Sequence, residues 1–220
     1  MSVLVYINSE KIAKNSFEAV TYGKKIGNVT VITNGNTSDD QLAELGKYGA
    51  DKVLVDRSFE GADSQQVTRL VAKAANATGA TTIVFSNDLV GKAIAPRLAV
   101  RLKAGLVAGA TQVPDSDGKI KVNVFSGKAF GYVKVASAVK IISLLPNSIQ
   151  PEITGENASV ENFDGEAGTA GLTVKATKKP EGSIPLPEAE LVVSAGRGLK
   201  GPENWGIVEE LAETLGAATA

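Results

Sequence analysis

The sequence of 220 residues contains no cysteine and no histidine. Without cysteine the chain can form neither a disulfide nor a thiolate nucleophile, and the usual ligands of a zinc site are missing. Without histidine there is no Ser-His-Asp arrangement and no side chain that ordinarily titrates near neutral pH. Acid–base catalysis would depend on carboxylates or lysines alone. These absences disfavour hydrolases and metalloenzymes, and they favour binding proteins or enzymes whose chemistry a cofactor carries.

Long apolar runs and an excess of one charge are missing as well. The formal net charge is −1, so the chain as a whole has no basic field for nucleic acid or an anionic membrane. No apolar run approaches the ~18 residues that span a bilayer. The apolar start at Met1–Ile7 lacks both a basic segment before it and a cleavage site after it. We therefore expect a globular protein in the cytoplasm, with no nucleic-acid partner and no membrane insertion.

The first half of the chain alternates β-rich and helical segments. The predicted strands are Val3–Ile7, Val29–Thr33, Lys52–Asp56 and Thr82–Phe85. The predicted helices are Phe17–Lys25, Asp40–Tyr48, Ser64–Ala77 and Asp88–Leu102. Continuous apolar strands that alternate with helices of this length indicate right-handed βαβ crossovers. The predicted fold class is α/β, a Rossmann-like parallel sheet with helices on both faces.

The pattern changes to consecutive strands beyond the last of these helices. The predicted strands are Leu106–Val113, Lys119–Phe125, Gly131–Ala136, Val139–Leu145 and, further on, Leu172–Thr177. We expect those before residue 147 to be antiparallel additions to the parallel sheet. Asp115 and Asp117 resemble part of a calcium loop, but the other ligands of an EF-hand are missing. They are interpreted as turn residues, and no metal site is predicted.

A proline-rich segment then separates a second unit from the first. Residues 178–187 contain three of the eight prolines, which favour extended backbone and predict a linker. We expect an α/β domain at 1–185 and the start of an incomplete second domain at 186–220. The second contains a predicted strand at Glu190–Ser194 and a helix from about Pro202 to Leu215. One strand and one helix bury too little surface to fold alone, so further residues of this domain are expected beyond Ala220.

Three glycines between that strand and helix match the pattern G-x-G-x-x-G. They are Gly196, Gly198 and Gly201. Such a turn lets the backbone approach a ligand closely, and the helix amino terminus favours an anion. The second strand and the acidic ribose ligand of a dinucleotide site are expected beyond Ala220. The pattern alone leaves two interpretations open: a ligand-binding loop, or a tight turn that binds nothing.

Three segments together resemble a known family. The segment V-V-S-A-G-R-G-L-K at 192–200, followed by Glu203-Asn204, resembles the opening of the FAD domain of electron-transfer flavoprotein alpha subunits. Tyr48–Val55 resembles that family's entry into its third strand, and Phe85–Val107 resembles its G-[KR]-x-x-x-P-R-x-A-x-x-L motif. The resemblance covers the whole chain in order. It departs at Ala195, where glycine is common, and at Gly201–Pro202, where Ser-Gly is common.

The resemblance implies an alpha subunit that carries electrons through FAD, rather than an enzyme that converts a substrate. It implies a beta subunit as partner, acyl-CoA or other dehydrogenases as electron donors, and a downstream acceptor. Any AMP would belong to the beta subunit. Cofactor contacts are expected at Arg197, Gly196 and Gly198, and no catalytic residue is expected. This chain by itself is expected to bind little or no FAD, because most of the site would lie outside it.

Two other functions stay open at the level of sequence. One is a stand-alone adenine-nucleotide-binding α/β regulatory module, although the predicted βα turns after Ile7, Thr33 and Phe85 lack a glycine-rich loop. The other is a subunit that only scaffolds a partner. The segment Gly91–Arg101 resembles a phosphate loop only superficially, because no Gly-Lys pair is followed by Ser or Thr. It is interpreted as a core helix, kinked or started late at its internal proline, with Arg97 and Arg101 at the surface.

Overall fold

The computed structural model describes residues 1–8, 12–61, 63–176, 186 and 189–220. The chain forms two compact units, Met1–Thr173 and Val174–Ala220. Most of the predicted linker at 178–187 lies outside the described residues.

The first unit is built on one nine-stranded sheet. Its strands are β1 (Ser2–Tyr6), β2 (Asn28–Asn34), β3 (Ala50–Asp56), β4 (Thr82–Ser86), β5 (Gly105–Ala110), β6 (Lys119–Val124), β7 (Ala129–Lys134), β8 (Lys140–Leu144) and β9 (Ser159–Asn162). Its α-helices are α1 (Lys14–Ile26), α2 (Asp39–Ala43), which continues as a 3-10 helix at Glu44–Tyr48, α3 (Ser64–Thr78) and α4 (Leu89–Leu102). The predicted alternation of strand and helix in the first half is confirmed.

The strand order across the sheet is β7-β6-β5-β8-β4-β1-β2-β3-β9. Across the sheet from β5 through β8, β4, β1, β2 and β3 to β9, every pair of neighbouring strands is parallel. Parallel pairing of this kind is expected for right-handed crossovers. The β6 and β7 strands add to β5 as an antiparallel edge. The expectation of added antiparallel strands is therefore correct for these two. It is wrong for β5 and β8, which belong to the parallel part of the sheet: β8 lies inside the sheet and runs parallel to both β4 and β5.

Helices cover both faces of the sheet and close two hydrophobic cores. Alternate residues of β1 point to opposite faces, so Val3 and Val5 contribute to one core and Leu4 and Tyr6 to the other. The first core contains α1 and the 3-10 turn after α2, and the second contains α3 and α4. A strand that is buried on both faces has a continuous apolar sequence, and the apolar run at the start of the chain therefore predicts β1.

Three local expectations are wrong. No strand forms at residues 172–176, which lie exposed without regular structure, while Thr177 lies outside the described residues. Instead, β9 at Ser159–Asn162 pairs with β3, in a polar segment where no strand is predicted. The α4 helix begins at Leu89, well before Pro96, so the late start is also wrong.

The second unit contains a complete, though very short, βαβ element. Strand β10 (Val192–Val193) is followed by 3-10 turns at Arg197–Leu199 and Pro202–Asn204, then by helix α5 (Gly206–Leu215). Strand β11 (Ala218–Thr219) returns parallel to β10. The second strand was expected beyond Ala220, and this expectation is wrong. Backbone hydrogen bonds of 3.0 Å from Ala195 N to Ala220 O and from Ala220 N to Val193 O extend the pairing.

Candidate functional site

The glycine turn of the second unit lies between β10 and α5. Gly196 has extended backbone and begins the 3-10 turn at Arg197–Leu199. Lys200 then has a positive φ of 69°, and a hydrogen bond of 2.8 Å from Gly201 N to Leu199 O closes a tight turn across it. The amide of Asn204 donates to the carbonyl of Leu199 at 2.7 Å and ties the two 3-10 turns together. The turn is therefore held by its own contacts.

The glycines of the turn face open space. A Cβ atom placed on Gly196 or Gly198 would meet no atom within 4 Å. Neither residue has a positive φ. Nothing that the structure describes therefore requires glycine at these two positions, whether for conformation or for packing. One physical reason for glycine remains, which is that a ligand can approach the backbone closely where no side chain stands in its way.

Arg197 lies between these glycines at the exposed surface of the turn. Its guanidinium forms no hydrogen bond or ion pair with the residues that the structure describes. A guanidinium is always charged and presents a planar set of donors, which suits a phosphate or the polar edge of a flavin. The structure brings Gly196, Arg197 and Gly198 together on one turn. That they contact a cofactor stays a prediction.

The amino terminus of α5 follows the glycine turn directly in the sequence. Pro202 occupies the first position of a 3-10 turn, where its missing N–H costs nothing, and Glu203 follows it. The α-helix itself starts only at Gly206, so the predicted start at Pro202 is the start of the 3-10 segment. Trp205 is half-buried at this junction.

The sheet of the first unit contains the other place where a nucleotide could bind, beyond the carboxyl ends of β1 and β4. The amino terminus of α4 points there, but it is already capped. The carboxylate of Asp88 accepts from Gly91 N at 2.8 Å and from the Asn15 amide at 2.9 Å. The same amide lies 3.2 Å from the Ser86 hydroxyl. Because a carboxylate of the chain occupies the positive end of the helix, a phosphate would be repelled there.

Gly91 has a packing role. A Cβ at this position would lie 1.9 Å from the carbonyl oxygen of Ser86, so only glycine lets α4 approach the end of β4. Ile94 and Leu98 of the same helix are fully buried, whereas Arg97 and Arg101 are exposed. The interpretation of Gly91–Arg101 as a core helix with surface arginines is confirmed.

The pair Asp115 and Asp117 forms a turn. The carboxylate of Asp115 accepts from the backbone N of Asp117 at 2.9 Å and of Lys119 at 2.8 Å. Within the described ranges, no three acidic residues converge as a metal site would require. In the same ranges, no helix is long and apolar enough to cross a bilayer.

Sequence reasoning missed two polar side chains. In the sequence Asn204 is only part of a family motif, whereas in the structure it fixes the shape of the glycine turn. Nothing in the sequence distinguishes Glu18, because it lies in an ordinary amphipathic helix. Its side chain is nevertheless buried, and one carboxylate oxygen accepts from Asn147 N at 3.0 Å. No sequence signal could have found this contact, since the two residues are far apart along the chain.

Comparisons with known families match both units. The model of the electron transfer flavoprotein domain matches residues 3–175. The model of the electron transfer flavoprotein FAD-binding domain matches residues 185–220.

Individual relatives agree with the family models. The electron transfer flavoprotein subunit alpha of Bacillus subtilis is 31% identical, over 98% of this chain and 70% of that protein. The subunit alpha of Syntrophomonas wolfei is 33% identical, over 94% of this chain and 68% of that protein. Protein FixB of Escherichia coli is 33% identical, over 63% of this chain and 46% of that protein.

Proposed function

Because the chain belongs to the electron transfer flavoprotein family and matches its alpha subunits, we propose that it serves as the alpha subunit of a heterodimeric electron carrier. In this proposal the carrier takes electrons from acyl-CoA or other dehydrogenases onto FAD and passes them to a downstream acceptor. A beta subunit completes the heterodimer. The cytoplasm as the place of action stays a prediction.

The observation that carries the proposal is the open glycine turn. Gly196 and Gly198 leave space that nothing in the described chain fills, and Arg197 offers an exposed positive charge between them. The FAD-binding family model covers the same residues. When bound, the isoalloxazine ring of FAD supplies the redox chemistry, so no acid–base residue of the chain is required.

The chain's own residues position and stabilise the cofactor in this proposal. The backbone at Gly196 and Gly198 lets an anionic or polar group approach without meeting a side chain. Arg197 places its positive charge near negative charge on the cofactor, either a phosphate or the polar edge of the ring. Asn204 holds the turn in shape through its bond to Leu199 O. Contacts that complete the pocket come from residues outside this chain.

The test is made on the product of the complete gene, produced together with the beta subunit. We expect the purified complex to contain FAD. Adding an acyl-CoA dehydrogenase and its acyl-CoA substrate is expected to bleach the flavin absorbance. A complex that forms but contains no flavin would exclude the electron-carrier function.

Arg197 is tested in the same complex. We expect Arg197→Ala to lower the FAD content or make the midpoint potential more negative, because reduced flavin loses a compensating positive charge. Arg197→Lys is expected to have a smaller effect, since it keeps the charge. Lys200→Ala is the matched control, an exposed cation in the same turn whose loss should change neither quantity. If Arg197→Ala and Lys200→Ala behave alike, the proposed role of Arg197 is wrong.

A further inference from the structure

The outer face of α4 carries a second apolar line. The inner face of this helix is buried in the core, through residues such as Ile94 and Leu98. On the opposite side, four exposed apolar residues follow one another at helical spacing, so that they lie along one line of the helix surface. These residues, called the outer stripe below, are Leu89, Ala93, Pro96 and Val100.

The two ends of the outer stripe are almost fully exposed. Leu89 and Val100 are the most exposed large apolar side chains that the structure describes, at 85% and 81%. A helix on the surface of a globular protein ordinarily turns polar residues to the solvent. The α4 helix is instead apolar along two opposite sides, which is typical of a helix that a further surface covers. The outer stripe therefore indicates a contact outside the core.

Cations border the outer stripe on both sides. With about 3.6 residues per turn, Lys92 lies along one margin, and Arg97 and Arg101 lie along the other. All three side chains are exposed, and their charged groups form no hydrogen bond or ion pair with any residue that the structure describes. The outer face of α4 therefore combines an apolar line with positive charge on each margin.

The basic character extends over the whole layer of α3 and α4, which pack side by side on one face of the sheet. Residues 64–114 contain six cations and one acidic residue, Asp88, although the whole chain has a formal net charge of −1. The Asp88 carboxylate caps α4, and from outside this segment Glu166 pairs with Lys73. The overall net charge thus conceals one basic face, so the absence of a basic field holds only for the chain as a whole.

The outer stripe requires a surface that offers an apolar medium directly beside negative charge. An anionic phospholipid bilayer provides both, because its headgroups lie at the boundary of its acyl chains. A helix that binds in this boundary has apolar residues on one side and Lys or Arg at the margins, where they reach the headgroup phosphates. Two copies of this chain meeting through their outer stripes would bring like charges together, which opposes self-association.

We propose that the outer stripe and its bordering cations bind the surface of an anionic membrane, with α4 parallel to that surface. Leu89 and Val100 lie about 16 Å apart along the helix axis, so both can enter the boundary between headgroups and acyl chains at once. Binding of this kind is peripheral and reversible, and α4 stays folded within its unit. Since few apolar groups are buried, the attraction between charges is required and salt weakens it. This inference does not depend on the proposed function, because it concerns residues of the first unit alone.

Vesicle co-sedimentation tests the inference on the complete gene product. We expect the protein to sediment with vesicles made of equal parts of phosphatidylglycerol and phosphatidylcholine, and to stay in solution with vesicles of phosphatidylcholine alone. The bound fraction is expected to fall as the salt concentration rises. Equal binding to both kinds of vesicle would overturn the inference. Binding to neither kind would overturn it as well, in favour of a protein partner for the outer stripe.

The double variant Leu89→Gln/Val100→Gln tests the outer stripe itself. Both side chains are exposed, so we expect the unfolding temperature to stay unchanged. The partition coefficient for the anionic vesicles is expected to fall at least about tenfold, because two apolar side chains no longer leave water. Ile153→Gln is the matched control, since Ile153 is 73% exposed on the connection between β8 and β9 and its loss should leave binding unchanged. A double variant that binds like the Ile153→Gln protein would show that the outer stripe is not the binding surface.

The bordering cations are tested by removing one charge at a time. We expect Arg97→Gln to weaken binding to the anionic vesicles and to reduce its dependence on salt. Lys24→Gln removes the same charge from α1, which packs against the other core of the unit, and is expected to have a smaller effect. Equal effects of the two substitutions would mean that the net charge of the protein, and not the outer face of α4, governs binding.

Discussion

Glu18 has a raised pKa because its burial disfavours the charged carboxylate. The hydrogen bond from Asn147 and the nearby charge of Lys14 oppose this effect but are smaller. Among the described residues, none donates to the second carboxylate oxygen, Oε1. The folded protein therefore binds a proton at Glu18 more tightly than the unfolded chain does.

This raised pKa gives a pH-dependent prediction. Stability from the protonated group is fully present below the ordinary glutamate value of 4.5 and is lost as the pH rises through the raised pKa. Replacing Glu18 by Gln removes the buried charge and keeps an acceptor for Asn147 N. We expect Glu18→Gln to have a larger free energy of unfolding at pH 7, and the gain to vanish in acid. Urea unfolding across the pH range measures it.

Glu44→Gln is the control for this measurement. Glu44 is half-exposed and pairs with Lys47 at 2.8 Å. Exposed pairs of this kind contribute little, so the control should follow the unaltered protein at every pH. A Glu18→Gln variant with the same pH profile as the unaltered protein would show that Glu18 is not the group responsible.

Gly91 gives a second prediction at the scale of one residue. A methyl group there would meet the carbonyl oxygen of Ser86, which is backbone and cannot swing aside. We expect Gly91→Ala to lower the free energy of unfolding by about 1–3 kcal/mol, the usual cost of overpacking. Denaturant unfolding measures the change.

Gly131→Ala is the matched substitution in the same unit. Its Cβ would lie 3.4 Å from Val122, an ordinary contact distance. The free energy of unfolding should change by no more than about 0.5 kcal/mol. Equal losses in the two variants would mean that Gly91 has no special packing role.

At the scale of elements, the start of a helix is set by a side chain that caps its first backbone N–H groups. The α3 helix begins after Asp63, whose carboxylate accepts from Gln65 N at 2.9 Å and from Gln66 N at 2.8 Å. We expect Asp63→Ala to lower the free energy of unfolding by about 0.5–2 kcal/mol, because two backbone donors lose their acceptor. Asp63→Asn keeps an acceptor and should retain most of the stability. Thermal unfolding distinguishes the two, and equal losses would contradict the capping role.

Strand pairing shows where local patterns are insufficient. Ser159–Asn162 is polar and short, yet it forms β9 because the exposed edge of β3 supplies backbone partners. Residues 172–176 have a better strand composition, but no described strand pairs with them. A strand exists only where another strand offers hydrogen bonds, so composition alone could not decide between these segments.

At the scale of the whole molecule, the large sheet and both of its hydrophobic cores lie within the first unit. A protein that ends at Ala176 therefore keeps every buried contact of these cores. We expect it to fold alone and to show a cooperative thermal transition at the temperature seen for the same unit in the longer chain. Differential scanning calorimetry tests this. A shortened protein without a cooperative transition would mean that residues beyond 176 stabilise the sheet.

The sequence by itself determined the α/β class, the first four strands and their helices, the hairpin turn at Asp115, and the glycine turn around Arg197. These features depend on apolar periodicity, turn residues and short motifs, which are local properties of the chain. Only the tertiary structure decided that β8 lies inside the sheet, that β9 and β11 exist, and that Glu18 is buried. Each of these depends on partners distant in the chain or on a backbone that another strand offers, and no local pattern encodes such a partner. The open space around Gly196 and Gly198, as far as the described residues define it, likewise depends on the packing of the chain and not on the local sequence.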